Sequence, residues 1–203
     1  MKLFINSASP FARKARIVVR EKGLIERVEE VNVIPLESPP ALVDVNPIAQ
    51  IPALTTDDGT PWYDSTLICA WLDAHSDQGP KLLPPMGSDA GEAYWAVRRL
   101  EVAGVALTEM IVRMVLENRR PETERSPSWL KRWEDNLLRG FERVEALAPA
   151  ADVLNMGSLT LGIAATYSDF RYPHIDWRSV APKTLALKNE LEKRTSFVET
   201  YPK

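Results

Sequence analysis

Residues 46–65 read NPIAQIPALTTDDGTPWYDS, and this stretch decides the fold prediction. The turn residues Asp57-Asp58-Gly59 separate two short extended runs, which predicts a β-hairpin with strands over 52–56 and 61–63. Asp64-Ser65 then opens the apolar run STLICAWLDA, which predicts a helix. The stretch therefore predicts a hairpin followed directly by a helix.

The same stretch can bind a small molecule through its backbone. Pro52 lacks an N–H and keeps the preceding residue extended, so Ile51 can leave its own N–H and C=O free to pair with a ligand. Asp64 and Ser65 stand at a helix N-terminus, where unpaired N–H groups and the positive end of the helix dipole suit a carboxylate. The simpler alternative for this pair is a cap that serves only its own helix.

Around this stretch, the pattern divides the chain into three parts. Residues 1–78 carry strand and helix signals in the order β-α-β-α-β-β-α, residues 79–88 are a linker rich in Pro and Gly, and residues 89–203 are helical. This predicts an α/β domain followed by an all-α bundle. The elements predicted in the first part cover 3–5, 10–22, 28–33, a short helix after 35–40, 52–56, 61–63 and 65–74. In the last part a long apolar stripe starts at Ala93, and further helices begin at Ser126-Pro127, near Asn155 and near Pro182.

Five segments, in this order and spacing, resemble the glutathione transferase superfamily, and more narrowly its small bacterial serine-type members. The opening MKLFINSASPFARKARI is similar to the first strand and helix of that family. NPIAQIPAL is similar to its N-P-x-x-x-(V/I)-P loop, and DSTLICAWLD to its (E/D)-S-x-x-I-x-x-(Y/W)-L helix. MGSLTLGIAATYSDFRYPHIDWR and SFVETYP are similar to its last helices. The resemblance implies a thioredoxin-like, glutathione-binding domain over 1–78 and a helical-bundle domain over 89–203.

The chain departs from the family pattern at three places. Gln50 stands where relatives often have Lys, and Asp64 replaces the more common Glu. The C-terminal capping box usually pairs Ser or Thr with Asp, whereas Asn155 and Ser158 fill these places here. This substitution is expected to keep a helix cap and to weaken the reciprocal half of the box.

The resemblance also implies a glutathione site formed by Gln50, Ile51, Pro52, Asp64 and Ser65. The Ile51–Pro52 bond is expected to be cis, and Gln50 is expected to supply a neutral hydrogen-bonding group. Ser65 is expected to hold the γ-glutamyl carboxylate through its hydroxyl and N–H, while Asp64 meets the α-ammonium group. Glutathione is thus the expected co-substrate.

Ser9 is the candidate catalytic residue, because it lies immediately before the helix that begins at Pro10. A thiol with a pKa of about 8.5 is mostly protonated at pH 7, so a transferase must stabilise the thiolate. A hydroxyl donor and the positive end of a helix can do this, and lowering the pKa by about 2 units requires roughly 2.7 kcal/mol. Two alternatives stay open: Ser9 is a plain helix cap, or Ser7 supplies the hydroxyl.

Composition narrows the class of protein further. Of the 203 residues, 45% are apolar, which suffices for a hydrophobic core. The net charge of −3 and the pI near 5.6 favour neither nucleic acid nor an anionic membrane as a partner. A single cysteine excludes an internal disulfide, which fits a reducing compartment and predicts a cytoplasmic location. This cysteine, Cys69, lies in an apolar run, which predicts an inert core thiol. No Cys/His spacing indicates a metal site. The basic run Arg13–Arg16 is interpreted as a solvated helix face.

The leading hypothesis is a cytoplasmic, homodimeric glutathione transferase with a role in detoxification, which conjugates or reduces small electrophiles. The homodimer follows from the resemblance and from the apolar length of the long helix, with Ala93, Val97 and Met114. The alternative is a non-catalytic protein of the same fold that acts as a protein-interaction module, as some transcription-associated bacterial relatives do. The identity of the electrophile does not follow from the sequence.

Overall fold

The computed structural model of the protein describes residues 1–86 and 91–203. Of the predicted linker 79–88, the last two residues lie outside the described residues, as do residues 89–90 of the predicted helical domain. The described part consists of a small mixed sheet with helices, followed by a mostly helical region, as the sequence predicts.

Contacts divide the chain into two compact units. The first unit comprises Met1–Leu83 together with Arg194–Lys203, and the second unit comprises Pro84–Lys193. The predicted helical domain runs to residue 203, whereas the last ten residues of the chain make their contacts in the first unit.

The first unit is built on a four-stranded sheet in the order β2-β1-β3-β4. β1 pairs with β2 in parallel and with β3 in antiparallel orientation, and β3 pairs with β4 through the predicted hairpin. The elements match the predicted ones to within one or two residues at most ends. In chain order they are β1 (Lys2–Ile5), α1 (Pro10–Glu21), β2 (Glu29–Asn32), α2 (Pro40–Val43), β3 (Ala53–Thr55), β4 (Pro61–Trp62) and α3 (Ser65–Ala74).

Successive side chains along the strands point to opposite faces of the sheet, and apolar side chains are buried on both faces. Leu3 and Leu54 are opposite each other in the register and both are fully buried. Phe4 and Ala53 are the next pair along and therefore point to the other face, where Leu42 of α2 packs against them. α1 and α3 pack against each other, and α3 also contacts β3.

The basic run at the start of α1 is not a solvated face, and this expectation was wrong. Arg13 and Lys14 are each only 2% exposed. The guanidinium of Arg16 pairs instead with Glu30 of β2, with 2.8 Å between Nε and Oε2. Long basic side chains can lie along apolar surface when their charged ends find partners, and the helix pattern alone does not reveal such partners.

The second unit is helical, and the buried side chains of α6 form its centre. Its helices are α4 (Gly91–Asn118), α5 (Pro127–Val144), α6 (Met156–Arg171) and α7 (Pro182–Leu191). Every residue from Met156 to Ser168 is buried, and α4, α5 and α7 pack around this helix or one another. Gly104 of α4 faces the α6 backbone so closely that a Cβ would lie 2.9 Å from the N atom of Leu161. No helix within the described ranges is both long and apolar enough to cross a membrane.

The capping box of α6 is complete. The Asn155 side chain accepts a hydrogen bond from the Ser158 N–H at 2.8 Å, and the Ser158 hydroxyl accepts one from the Asn155 N–H, also at 2.8 Å. Both halves of the box are therefore present, and a weaker reciprocal half stays a prediction. A serine hydroxyl can accept a backbone N–H as an acidic side chain does, although it carries no charge.

One side of α4 carries large exposed apolar side chains whose positions differ by multiples of seven residues, about two helical turns. Trp95, Val102 and Leu116 are 55%, 60% and 45% exposed. Met114, which the sequence suggests for an outward apolar stripe, is instead buried inside its own unit at 3% exposure. We call the side with Trp95, Val102 and Leu116 the α4 outer face.

The last ten residues return to the first unit and form the short helix α8 (Thr195–Glu199). α8 packs against α1. Phe197 and Thr200 are almost completely buried there, at 1% and 0% exposure. We call Arg194–Lys203 the C-terminal segment.

Candidate functional site

Strand register brings two of the predicted site segments to one end of the sheet. Phe4 of β1 pairs with Ala53 of β3 in antiparallel orientation, so the end of β1 lies beside the start of β3. Residues 6–9, which follow β1, and residues 49–52, which precede β3, therefore leave the sheet at the same edge.

The hairpin brings the third segment to this edge. Leu54 of β3 pairs with Trp62 of β4, so β4 ends where β3 begins. Residues 63–65, which connect β4 to α3, follow at that end. The fold thus gathers the predicted serine, the Ile51–Pro52 bond and the start of α3 from three separate parts of the chain.

Ser9 is the N-cap of α1. Its hydroxyl accepts a hydrogen bond from the Ala12 N–H at 3.2 Å, and its C=O accepts one from the Arg13 N–H at 2.9 Å. A hydroxyl that accepts one bond still carries its own hydrogen, so Ser9 can cap the helix and donate to an anion at the same time. The cap and the catalytic reading of Ser9 are therefore compatible.

Asn6 shapes the turn that leads to Ser9, and the sequence patterns did not single it out. Its side-chain amide donates to the Val33 C=O at 3.2 Å and its side-chain oxygen accepts from the Ala8 N–H at 3.0 Å. The Ser9 N–H donates to the Asn6 C=O at 3.0 Å. Ser7 lies inside this turn, two residues before Ser9, and both serines are half-buried.

Asn46 holds the loop that presents Gln50. It is 2% exposed, its side-chain amide donates to the Gln50 C=O at 2.9 Å, and its side-chain oxygen accepts from the Ile48 N–H at 3.3 Å. Its own C=O accepts from the Ala49 N–H at 2.8 Å, and Ala49 adopts a left-handed φ of 51°. An asparagine before a proline is a common turn signal, so the Asn46-Pro47 pair is the sequence feature that indicates this loop.

The Ile51–Pro52 peptide bond is cis, as the resemblance implies. The Ile51 side chain packs against the core cluster of Phe4, Leu42 and Ala53, and Pro52 is buried. Within the described residues, the Ile51 backbone N–H and C=O make no hydrogen bond with another backbone group. The side chain is thus anchored, and pairing of the Ile51 backbone groups with a ligand stays a prediction. Gln50, next to Ile51, is exposed.

Asp64 and Ser65 begin α3 as predicted. The Asp64 Oδ1 atom accepts hydrogen bonds from the N–H groups of Thr66 and Leu67, at 2.9 and 3.3 Å. The cap thus uses one carboxylate oxygen of an exposed side chain. Ser65, the first residue of the helix, is 3% exposed.

Other candidate chemistry does not gather at this edge. Cys69 lies inside α3 and is fully buried. Among residues 1–86 and 91–203, no group of three or more His, Cys, Asp and Glu side chains is placed to hold a metal ion. The candidate site offers the Ser9 and Ser65 hydroxyls, the Asp64 carboxylate, the N-terminus of α3 and the backbone of Ile51.

Comparison with known proteins agrees with this description. The N-terminal domain family of glutathione S-transferases matches residues 8–75, which include all the predicted site residues. The GST-like protein YibF of Escherichia coli K12 is 28% identical over 206 residues, which cover all of this chain and 98% of that protein.

Two solved structures share the whole fold. A glutathione S-transferase from Methylobacterium radiotolerans, in complex with glutathione sulfonate, is 31% identical with a TM-score of 0.86, and the match covers 99% of this chain and 94% of that chain. A glutathione transferase family member from Pseudomonas fluorescens Pf-5, with bound glutathione, is 30% identical with a TM-score of 0.90, over 100% and 98% of the two chains. With this identity over its full length, the chain belongs to the glutathione transferase superfamily.

Proposed function

We propose that this protein is a serine-type glutathione transferase that uses glutathione to conjugate or reduce small electrophiles. One observation carries the proposal: Ser9, the free backbone of Ile51 and the N-terminus of α3 converge on the same edge of the sheet. Two similar structures, at about one-third identity, contain glutathione or glutathione sulfonate, which supports the same ligand here.

The proposed chemistry places the glutathione thiolate at the N-terminus of α1. The Ser9 hydroxyl donates a hydrogen bond to the sulfur, and the positive end of the α1 dipole adds to this stabilisation. A combined preference of roughly 2.7 kcal/mol for the anion would lower the thiol pKa by about 2 units. The thiol proton passes to solvent and the thiolate sulfur forms a bond to the electrophilic carbon. With an aryl halide, the carbon–halogen bond breaks and halide leaves, and Ser9 keeps its proton throughout.

The γ-glutamyl end carries one carboxylate and one ammonium group, and the start of α3 offers one partner for each. Ser65 supplies an N–H and a hydroxyl at a helix N-terminus, which suits the carboxylate. Asp64 uses Oδ1 for the helix cap and can direct Oδ2 toward the ammonium group. Ile51 pairs through its backbone with the middle of the peptide, and Gln50 lies beside it as a neutral hydrogen-bonding group.

We also propose that two copies of the chain associate through a surface that includes the α4 outer face. Trp95, Val102 and Leu116 expose about half of their surface, and exposed large apolar side chains in register along one helix mark an interaction surface. A second copy is the proposed occupant, because family resemblance implies a homodimer. Such an interface would be isologous.

The test combines binding with turnover. Titration calorimetry should show glutathione binding to the parent protein, and Ser65→Ala should weaken it by about 1–3 kcal/mol, the cost of a lost charge-assisted bond. Thr66→Ala is the control, because it alters the next residue of α3 outside the proposed site. A chromogenic aryl halide assay then measures conjugation. A protein that binds no glutathione and conjugates no aryl halide would refute the proposal and favour the interaction-module alternative.

A further inference from the structure

The C-terminal segment contacts α1 at both ends of that helix. At the last turn, the Glu21 carboxylate accepts two hydrogen bonds from the Arg194 guanidinium, at 2.9 and 2.7 Å, and one from the Ser196 hydroxyl at 2.5 Å. Arg20 donates to Glu199 at 2.9 Å. The Glu21 side chain is only 8% exposed, whereas its partner Arg194 is 41% exposed.

At the first turn, Arg13 makes the corresponding contact. Its Nη2 atom donates to the Phe197 C=O at 3.1 Å. The guanidinium carbon lies 5.4 Å from the centre of the Phe197 ring and 5.5 Å from that of Tyr201. Arg13 is 2% exposed and Phe197 is 1% exposed. A guanidinium buried between two rings is costly to displace, because any shift leaves charge without compensation.

These contacts lie on one side of α1. Arg13, Arg20 and Glu21 are separated by seven and eight residues, which is two turns of an α-helix. Two attachment points two turns apart restrict both rotation of the helix about its axis and sliding along it.

Arg13 connects this attachment directly to Ser9. The Arg13 N–H donates to the Ser9 C=O at 2.9 Å, in the same first turn in which the Ala12 N–H donates to the Ser9 hydroxyl. We therefore expect a displacement of Arg13 to shift the turn that orients this hydroxyl.

We propose that Arg13 is a positioning residue for Ser9, held in place by the Phe197 carbonyl and the rings of the C-terminal segment. The proposal rests on the function proposed above, in which Ser9 stabilises the glutathione thiolate. A misplacement of about 1 Å at a reacting group can reduce a rate about 100-fold, so a residue that fixes the register of α1 affects catalysis without touching the substrate.

The first experiment compares Arg13→Lys with Arg16→Lys in the full-length protein. Both substitutions keep the charge and lie on the same helix, but only the first removes the planar group between the Phe197 and Tyr201 rings. In Arg13→Lys we expect kcat to fall about tenfold, while the Kd for glutathione stays within about twofold, since glutathione is held mainly elsewhere. The apparent pKa of bound glutathione, followed by thiolate absorbance, should rise. Arg16→Lys should match the parent in all three.

A second pair of variants guards against a folding defect in Arg13→Lys. Arg194 is 41% exposed in its side chain, so Arg194→Gln should fold, and it removes the two guanidinium hydrogen bonds to Glu21 while the one from the Ser196 hydroxyl stays. Lys193→Gln, one residue earlier, removes the same charge outside the C-terminal segment. Hydrogen exchange in free protein should be faster for the Ala12 and Arg13 amides in Arg194→Gln than in Lys193→Gln.

The two readouts separate this proposal from the proposed function. Unchanged exchange at Ala12 and Arg13 in both Arg13→Lys and Arg194→Gln would overturn the positioning role, whatever the enzyme does. Faster exchange with an unchanged thiol pKa and kcat would also overturn it, because the segment would then be structural only. If Ser9→Ala has the same thiol pKa as the parent, the function proposed for Ser9 fails, and the positioning proposal fails with it.

Discussion

Ser9 and Ser126 begin their helices in the same way. Each is followed by proline at the first helical position, and each hydroxyl accepts the N–H three residues on, from Ala12 at 3.2 Å and from Trp129 at 3.4 Å. Their surroundings differ, because Ser9 lies at the sheet edge that gathers the predicted site. Ser126 precedes α5 in the second unit. Substituting each serine in turn therefore tests whether Ser9 does more than cap its helix, because Ser126 has only the capping role.

Ser9→Ala should reduce turnover of an aryl halide by roughly 10–100-fold, from the loss of one hydrogen bond worth about 1.4–2.7 kcal/mol to the thiolate. The pH–rate profile should move upward, toward the titration of free thiol. Ser126→Ala should lower the free energy of unfolding by about 1 kcal/mol, as expected for the loss of a helix cap, and leave the turnover rate unchanged. If Ser9→Ala keeps the parental rate and profile, Ser7→Ala is the variant that should lose them.

Asp64→Asn should weaken glutathione binding without loosening α3. Asparagine caps a helix about as well as aspartate, so the melting temperature should change little. The charge that faces the ammonium group is lost, and a charge-assisted hydrogen bond is worth about 1.5–3 kcal/mol. Titration calorimetry and thermal melts on one sample provide both values. Equal affinity for variant and parent would remove Asp64 from the site.

Asn46→Ala should destabilise the protein and weaken glutathione binding together. It leaves the Gln50 C=O and the Ile48 N–H, which are part-buried, without their side-chain partner, at a cost of about 1 kcal/mol for each lost hydrogen bond. The loop that presents Ile51 then loses its fixed shape. Asn118→Ala is the control, since it removes an exposed hydrogen bond to the Tyr172 hydroxyl. A stability loss with unchanged affinity would show that Asn46 does not shape the ligand site.

Glu30 makes part of the stability pH-dependent. Burial alone would raise its pKa, but hydrogen bonds and charge from Arg20 and Arg16 outweigh burial and hold the pKa of Glu30 below its usual value. The unfolded chain therefore binds this proton more readily than the folded protein. The stabilisation is fully present above the unfolded pKa of about 4.3 and is lost as the pH falls below it through the folded pKa.

Thermal melts of Glu30→Gln across pH should reveal this loss. The parent should melt higher than the variant at pH 7, and the difference should shrink as the pH falls below about 4.3. Glu29→Gln, on the exposed neighbouring position, should show little difference from the parent at any pH. A difference in melting temperature between the parent and Glu30→Gln that stays constant down to acid pH would contradict the prediction.

Val102→Glu should dissociate the proposed dimer. Val102 and Val198 are both 60% exposed, but only Val102 lies on the α4 outer face. A buried unpaired charge at an interface is strongly unfavourable, whereas Val198→Glu places the same charge outside it. Light scattering should give twice the chain mass for the parent and Val198→Glu, and the monomer mass for Val102→Glu at micromolar concentration. A monomeric parent protein would refute the homodimer.

The sequence by itself determined the elements that depend on neighbouring residues. The hairpin at Asp57-Asp58-Gly59, the starts of α1 at Ser9 and of α3 at Asp64, and the cap at Asn155 all follow from backbone geometry and short-range hydrogen bonds. Because the family's site residues sit on these local features, the sequence also predicts where a glutathione site would lie.

Only the tertiary structure decided what depends on distant partners. Arg13 looked solvent-exposed because its partner Phe197 lies 184 residues away, and Met114 looked outward-facing because the sequence does not show what covers a helix. The roles of Asn6 and Asn46 could not be predicted from the sequence either, because their side chains bond to backbone groups whose positions depend on the folded loop. Local signals fix a residue's backbone, whereas burial and partner choice arise from packing between segments that are far apart in the chain.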